Sequence, residues 1–288
     1  MIVVRLLGGL GNQMFQYALG RRLAIKNGVS LKMDIGTLGV ELPGGTTRNY
    51  GLHAFNIKAH LASPEEIVFR PSQADDGVSQ TGNRTGLKSF SERQFNFDPE
   101  ILNLPDHVYL QGFWQTEKYF KPIEEVIRKD FRVKIPPSEA NKRMIDIITG
   151  KNSVSLHIRR GDYVWDEKTQ QIHGNCSLDY YARAVKLMGE KHRDMHLFVF
   201  SDDMGWAKNN FRSDYPLTLV DINDDSHNYE DLRLMSLCQH QIIANSSFSW
   251  WGAWLNRNPD KLVIAPRQWF AHTGFNTCDL IPDDWLKI

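Results

Sequence analysis

Cysteine is scarce in this chain of 288 residues: Cys176, Cys238 and Cys278, an odd number at wide spacing. Such a set builds neither a disulfide framework nor a paired-ligand zinc site, and it fits a reducing compartment. No uninterrupted apolar run reaches about 18 residues, which excludes a spanning helix and leaves at most peripheral membrane contact. The opening MIVVRLLGG lacks a basic stretch, a long apolar segment and a cleavage site. A cytoplasmic location is therefore expected, with the inner face of the cell membrane as the alternative. An excess of one charge is missing too. Lys+Arg and Asp+Glu both total 34, so there is no positive field for a phosphate backbone, and nucleic acid is not an expected partner. Neither the GxGxxG spacing of dinucleotide folds, nor the lysine-containing P-loop, nor an Asp-Xaa-Asp triplet occurs.

What is present is an ordinary globular mixture, 41 % hydrophobic and 24 % charged, in a chain long enough for two modest domains or one large α/β unit. Short apolar strands alternate with helical stretches, the rhythm of a parallel sheet covered on both faces. Strands are expected at Ile2 to Leu7, Ser30 to Asp34, 108–114, Val154 to Ile158, His196 to Ser201, Gln241 to Ala244 and Leu262 to Ala265. Helices are expected from about Asn12 to Asn27, Thr116 to Phe131, Leu178 to Lys191 and Glu230 to Cys238, with another starting at Ser249. Between Pro43 and Phe97 the chain is polar and glycine-rich, with TGNRTG at 81–86, and regular elements are not resolved. Pro136, Pro137 and Ser138 look like a joint.

Ligands of open α/β sheets sit beyond the carboxyl ends of strands, where helix amino termini offer unpaired N–H groups. Four segments fall at such ends. In GGLGNQ, Gly8 to Gln13, three glycines allow close backbone approach and suit a phosphate, or they serve only to reverse the chain. In HIRRGDY, His157 to Tyr163, strand alternation puts His157 and Arg159 on one face, where a guanidinium fork suits a pyrophosphate. Arg160 is expected to sit in a structural ion pair, with Asp162 or with a neighbouring loop, and Arg159 to stand outside one. The FSDD segment, Phe200 to Asp203, ends in carboxylates that either accept from ribose or base or cap the next helix. In IIANSSFSWWGAW, Asn245, Ser246 and Ser247 open a helix in an anion-binding arrangement. Trp250, Trp251 and Trp254 recur at helical spacing and are expected in the core rather than on a sugar. Asp231, upstream, either receives two donors from a guanine edge or is a solvated helix charge.

GGLGNQMFQY, HIRRGDY, FSDD and IIANSSFSWWGAW, in this order and at these separations, resemble the bacterial α-1,2-fucosyltransferases of glycosyltransferase family 11. The likeness runs nearly the whole length, apart from about Pro43 to Leu104. It implies α/β architecture of the GT-B type, two Rossmann-like domains facing across a cleft. Residues 1–138 would form the acceptor-side domain with an irregular insertion. Residues 139–288 would bind GDP-fucose, the last residues being candidates to pack back on the first domain. The implied activity is metal-independent, inverting transfer of fucose to a galactose-terminated oligosaccharide in surface glycans, with no cofactor. By the same resemblance Arg159 bonds the β-phosphate, His157 lies near the nucleotide and Asp231 reads guanine. Ser246, Ser247 and Phe248, with Asn245, line phosphate and base, Asp202 accompanies them, and Gly9, Gly11, Asn12 and Gln13 form the first loop near the pyrophosphate.

Departing GDP carries the difficult charge, and Arg159 with helix-start N–H groups can stabilise it by about 3 to 4 kcal/mol. The general base stays open among Glu167, Asp166, Asp162 and Asp34. A fucosyltransferase with another acceptor, α-1,6 or protein O-linked, and a non-catalytic carbohydrate-binding module are the rival readings.

Overall fold

The computed structural model describes residues 1–40, 46–67 and 86–288, and within α4 and α5 below it leaves out the side chains of Asp162, Trp165 and Lys168. Most of TGNRTG lies outside the described residues. The chain divides into two compact units, Met1–Lys134 with Phe275–Pro282, and Ile135–Gly274 with Asp283–Ile288. The division falls just before the Pro136–Pro137–Ser138 joint.

The first unit carries β1 (Ile2–Arg5), α1 (Leu10–Asn27), β2 (Leu31–Asp34), β3 (His60–Leu61), β4 (Lys88–Ser91), β5 (Val108–Gln111) and α2 (Glu124–Asp130). Its five strands are all parallel in the order β3-β2-β1-β5-β4. β1 is central and fully apolar at Ile2, Val3 and Val4, each 0 % exposed, as a strand covered on both faces must be. The helix expected over Thr116 to Phe131 is broken up. Two 3-10 turns, Glu117–Tyr119 and Lys121–Ile123, precede the short α2. Pro122, which has no N–H to donate, sits inside the second turn, and Phe120 just before it leaves helical geometry.

The second unit holds α3 (Glu139–Thr149), β6 (Ser153–Ile158), α4 (Gly161–Trp165), α5 (Glu167–His173), α6 (Leu178–Lys191), β7 (His196–Ser201), α7 (Met204–Asn210), β8 (Leu217–Leu219), α8 (Asn228–Leu237), β9 (His240–Ile242), α9 (Ser247–Leu255), β10 (Val263–Ala265) and β11 (Leu286–Lys287). Six parallel strands run β11-β10-β9-β6-β7-β8. Renumbered within the unit this is 3-2-1 reversed onto 4-5-6 about the first strand and its neighbour, the doubly wound order of dinucleotide folds, with the switch point between β6 and β9. One sheet face packs Val154, Leu156, Ile158, Leu197 and Val199 against Tyr181, Ala184 and Met188 of α6. The other packs Phe198 and Phe200 against Met144 and Ile148 of α3 and Leu234 and Met235 of α8. Each such aliphatic or aromatic side chain contributes about 1.5 to 3 kcal/mol of burial.

The tryptophans of α9 are core, with Trp250 and Trp251 at 0 % and Trp254 at 2 % exposure. α3, α4, α5, β8 and β11 were not resolved from the sequence, while α7 is the helix expected to follow FSDD. Two parallel-sheet α/β units are the architecture that the GT-B expectation required. No helix among the described residues is long and apolar enough to cross a membrane, and the three cysteines are unpaired.

Candidate active site

Three strands of the second unit end side by side and deliver the charged and polar side chains. β6 runs into Arg159 and Arg160, β7 into Asp202 and Asp203, and β9 towards Asn245 and Ser246. Arg159 Nη1 lies 2.7 Å from Asp202 Oδ2, with both side chains about one-fifth exposed. The other oxygen, Asp202 Oδ1, accepts from the backbone N–H of Arg160 at 2.8 Å. The expectation that Arg159 stands outside an ion pair is thus corrected: register between β6 and β7 places a carboxylate directly beside it. Asp202 braces the turn. Gly161 makes this possible, since its φ is +23° and a Cβ there would stand 2.3 Å from Asp202 Oδ2.

Arg160 sits in an ion pair as expected, and its partner is Asp203 of the neighbouring loop after β7. Its Nε pairs with Asp203 Oδ2 at 3.3 Å, and its guanidinium lies 3.9 Å from the centre of the Trp206 ring. Asp203 also caps α7 by accepting from Trp206 N at 2.9 Å. Of the two readings of the FSDD carboxylates, the cap holds for Asp203.

The Arg159 guanidinium carbon stands 5.1 Å from the Tyr163 ring centre. Tyr163 stacks on His173 at 4.6 Å and 12°, and His173 meets Phe270 at 5.2 Å. The sequence contained Tyr163 within HIRRGDY but gave no reason to join it to His173, ten positions away on another short helix.

His157 is 4 % exposed and its Nδ1 has no hydrogen-bond partner. Burial, and secondarily the Arg159 charge, push its pKa down to about 3, so the imidazole is neutral at any working pH. Its ring lies 5.8 Å from that of Phe248 at the start of α9. Ser246 caps α9, its Oγ accepting from Phe248 N at 3.3 Å. Asn245 is buried, and its Nδ2 donates to the carbonyls of His173, Gly174 and Trp269 at 3.0 to 3.2 Å. That amide clamps the loops around the turn, while Ser247 and Phe248 remain half-buried.

Asp231 sits in the first turn of α8, which leads into β9 and so begins at the carboxyl edge of the sheet. It accepts from Asn223 Nδ2 at 2.7 Å. Asn223 is itself locked by a reciprocal amide pair with Asn141, at 2.7 and 3.1 Å. Burial pushes the Asp231 carboxyl up to about 7 despite the Asn223 bond. No sequence spacing links positions 141, 223 and 231.

The candidate bases separate. Asp34, 4 % exposed, accepts from Tyr109 Oη at 2.5 Å and from Gly36 N at 2.8 Å within the first unit. Asp166 Oδ2 accepts from Thr169 Oγ1 at 2.7 Å, Glu167 is exposed at the start of α5, and the Asp162 side chain lies outside the description. Among the described residues, no group of three or more His, Cys, Asp or Glu side chains converges as a metal cage.

In the first unit Gly8 has φ +73°, Gly9 precedes α1 and Gly11 is buried in its first turn. Gln13, 0 % exposed, donates from Nε2 to Gly8 O and Asn49 O, and its Oε1 accepts from Gly51 N at 2.9 Å. Asn12 Oδ1 accepts from Gln115 Nε2 at 2.8 Å. The structure gives Gln13 the role of a strut inside the loop, and Asn12 is half-buried at its rim.

Residues 92–287 match the family profile described as Glycosyl transferase family 11. The chain is similar over its whole length to an Escherichia coli alpha-1,2-colitosyltransferase, at 36 % identity with 98 % of that protein covered. It is 30 % identical to the E. coli O-antigen biosynthesis glycosyltransferase WbnK over 98 % of both chains. Human galactoside alpha-(1,2)-fucosyltransferase 1 is 26 % identical over 86 % of this chain and 63 % of its own length. Among solved structures, an arginine-to-lysine mutant of Arabidopsis thaliana FUT1 in complex with GDP aligns at a TM-score of 0.51 and 11 % identity, covering 91 % of this chain and 69 % of that one, which is a likeness of fold.

Proposed function

The chain belongs to glycosyl transferase family 11, and from that premise we propose that it moves L-fucose from GDP-β-L-fucose to the 2-hydroxyl of a terminal β-galactoside, inverting the anomeric centre and needing no metal. The product would be a surface glycan of O-antigen or blood-group H type. The observation that carries this reading is Arg159, a permanently charged fork at the switch point of a doubly wound sheet, aimed by Asp202 and Tyr163 and flanked by a neutral buried imidazole.

Fucose leaves a β-linked nucleotide and arrives α-linked, so a single in-line displacement with oxocarbenium character is required. Negative charge grows on the β-phosphate as the bond to the sugar breaks. Arg159 meets that charge, bidentate and preorganised, in place of a divalent ion. His157, being neutral, can accept from or donate to the nucleotide without adding cation. Asp231 takes the donors of guanine, and the half-buried Phe248 supplies an apolar surface beside it. Gly9, Gly11 and Asn12 serve the first loop near pyrophosphate, with Gln13 bracing it. The proton of the acceptor hydroxyl goes to Glu167, Asp166 or Asp162, all in the α4–α5 segment that follows β6. Asp34 is the weakest candidate, because its carboxylate is held by Tyr109 and Gly36.

A second donor, GDP-linked colitose, is favoured by the full-length likeness to a colitosyltransferase. The test is release of GDP from GDP-fucose and from GDP-colitose, with lactose and N-acetyllactosamine as acceptors in excess EDTA, for wild type and Arg159→Ala. Acceptor-dependent turnover that survives EDTA and falls about 10²- to 10³-fold in the variant is expected. GDP binding without turnover on either acceptor, from either donor, would remove the galactoside assignment.

A further inference from the structure

Three segments of the second unit meet at the carboxyl edge of its sheet: the start of α3, the loop after β8 and the start of α8. A chain of hydrogen bonds runs through them in one direction. Ser138 Oγ, the cap of α3, accepts from Asn141 N at 3.2 Å and from Asn141 Nδ2 at 3.0 Å. The same Nδ2 donates to Asn223 Oδ1 at 2.7 Å, so the Asn223 amide presents its Nδ2 to what lies beyond. Asn223 Nδ2 donates back to Asn141 Oδ1 at 3.1 Å and on to Asp231 Oδ1 at 2.7 Å, which uses both of its hydrogens. Asn141 is 2 % exposed, and its side-chain donors and acceptor are all met within the chain.

The direction of the chain matters because it ends on a carboxyl group. An ionised carboxylate accepts at both oxygens, whereas the protonated form has an O–H that must itself find an acceptor. Asn223 offers a donor, which suits the ionised form. Burial raises the Asp231 carboxyl most and the Asn223 bond opposes it. The charges of Glu230, Asp221 and Asp225 add to the rise, leaving the group at about 7. Glu230 is itself paired with Arg233. Guanine presents two donors side by side, N1–H and its 2-amino group, while adenine presents one donor beside a bare N1. A carboxylate fixed in place accepts both donors of guanine and opposes the lone pair of adenine.

We infer that Asn223, oriented by Asn141, is a positioning residue for base selection: it aims the Asp231 carboxylate at the donor edge of guanine and keeps it in the accepting form. The inference rests on the guanine-nucleotide donor proposed above.

Asn141→Asp and Asn223→Leu test it by different routes. Asn141→Asp puts an acceptor where Nδ2 stood and turns the Asn223 amide round, so that Asn223 Oδ1 faces Asp231. The new carboxylate lies in the first turn of α3, where the helix dipole favours it and the fold is kept. Affinities for GDP and ADP, measured by calorimetry on either side of pH 7, give a ratio from which ionisation of the diphosphate cancels. In wild type the preference for GDP should grow as pH rises through about 7 and Asp231 ionises. In both variants it should fall about tenfold or more at neutral pH, with the midpoint moved upward, while ADP affinity stays within about twofold. Selection equal to wild type in both variants, or GDP and ADP weakened alike, overturns the inference and leaves Asp231 as the reader. Asp231→Asn tests the premise. If it selects GDP as wild type does, or if wild type takes GDP and ADP alike, the guanine reading falls and the inference with it.

Discussion

The two units have parallel sheets whose first strand neighbours both directions of winding, yet they use the turn after that strand in opposite ways. After β1, the polar side chains turn inward: Gln13 and Gln16 are fully buried and bonded to backbone of Gly8, Asn49, Gly51, Leu7 and Gly112. After β6, they turn towards the sheet's carboxyl edge: Arg159 and Asp202 form a half-buried ion pair over an aromatic stack. The difference teaches that a shared architecture supplies only the location of a site. Whether the turn becomes a strut or a charged clamp depends on a few side chains. Neutral amides can be buried if every donor and acceptor is met, whereas a guanidinium stays near water and its counter-ion.

Breaking the clamp should have the largest effect. Gly161→Ala would force Asp202 away and misaim Arg159, lowering kcat/KM about 10²-fold while the melting temperature moves little. Equal rates in this variant would mean that the Arg159–Asp202 geometry is incidental. The strut should fail differently. Gln16→Ala leaves Leu7 N and the carbonyls of Leu7 and Gly112 unmet, and a loss of about 2 kcal/mol in urea unfolding is expected, with kcat preserved on the folded fraction. A fall in kcat without a fall in stability would bring the first turn into the chemistry.

A third prediction sharpens the contrast through pH. His157 has its folded-state pKa depressed to about 3 from 6.5, so the unfolded chain binds the proton first. The stabilisation from keeping it neutral is present above pH 6.5 and is lost as pH falls towards 3, at about 1.4 kcal/mol per pH unit. His157→Asn should flatten the stability curve of the protein between pH 4 and 6 by about that slope. An unchanged slope would place His157 in water rather than against Phe248.

Much of the clamp was legible beforehand, because a run such as HIRRGDY at the end of an apolar strand has few structural uses. The burial of the α9 tryptophans and the strand at His196 to Ser201 followed from local pattern alone. The ion pair of Arg159 did not, because it depends on β6–β7 register, and two residues more than forty positions apart carry no mutual signal. The Asn141–Asn223–Asp231 chain was illegible for the same reason. α5, of seven residues, is too short to show a helical period, whereas α3 does carry a local signal in its Ser138 cap and in the spacing of Asn141, Met144 and Ile148.

By itself, then, the sequence determined what is local: apolar strands that must be covered on both faces, glycines where the chain turns, and a guanidinium that cannot lose its charge. Only the tertiary structure decided which carboxylate faces that guanidinium and which histidine is stripped of water until it stays neutral. Those outcomes depend on groups brought together across long stretches of chain, where burial and pairing act on distance in space and not on distance in sequence.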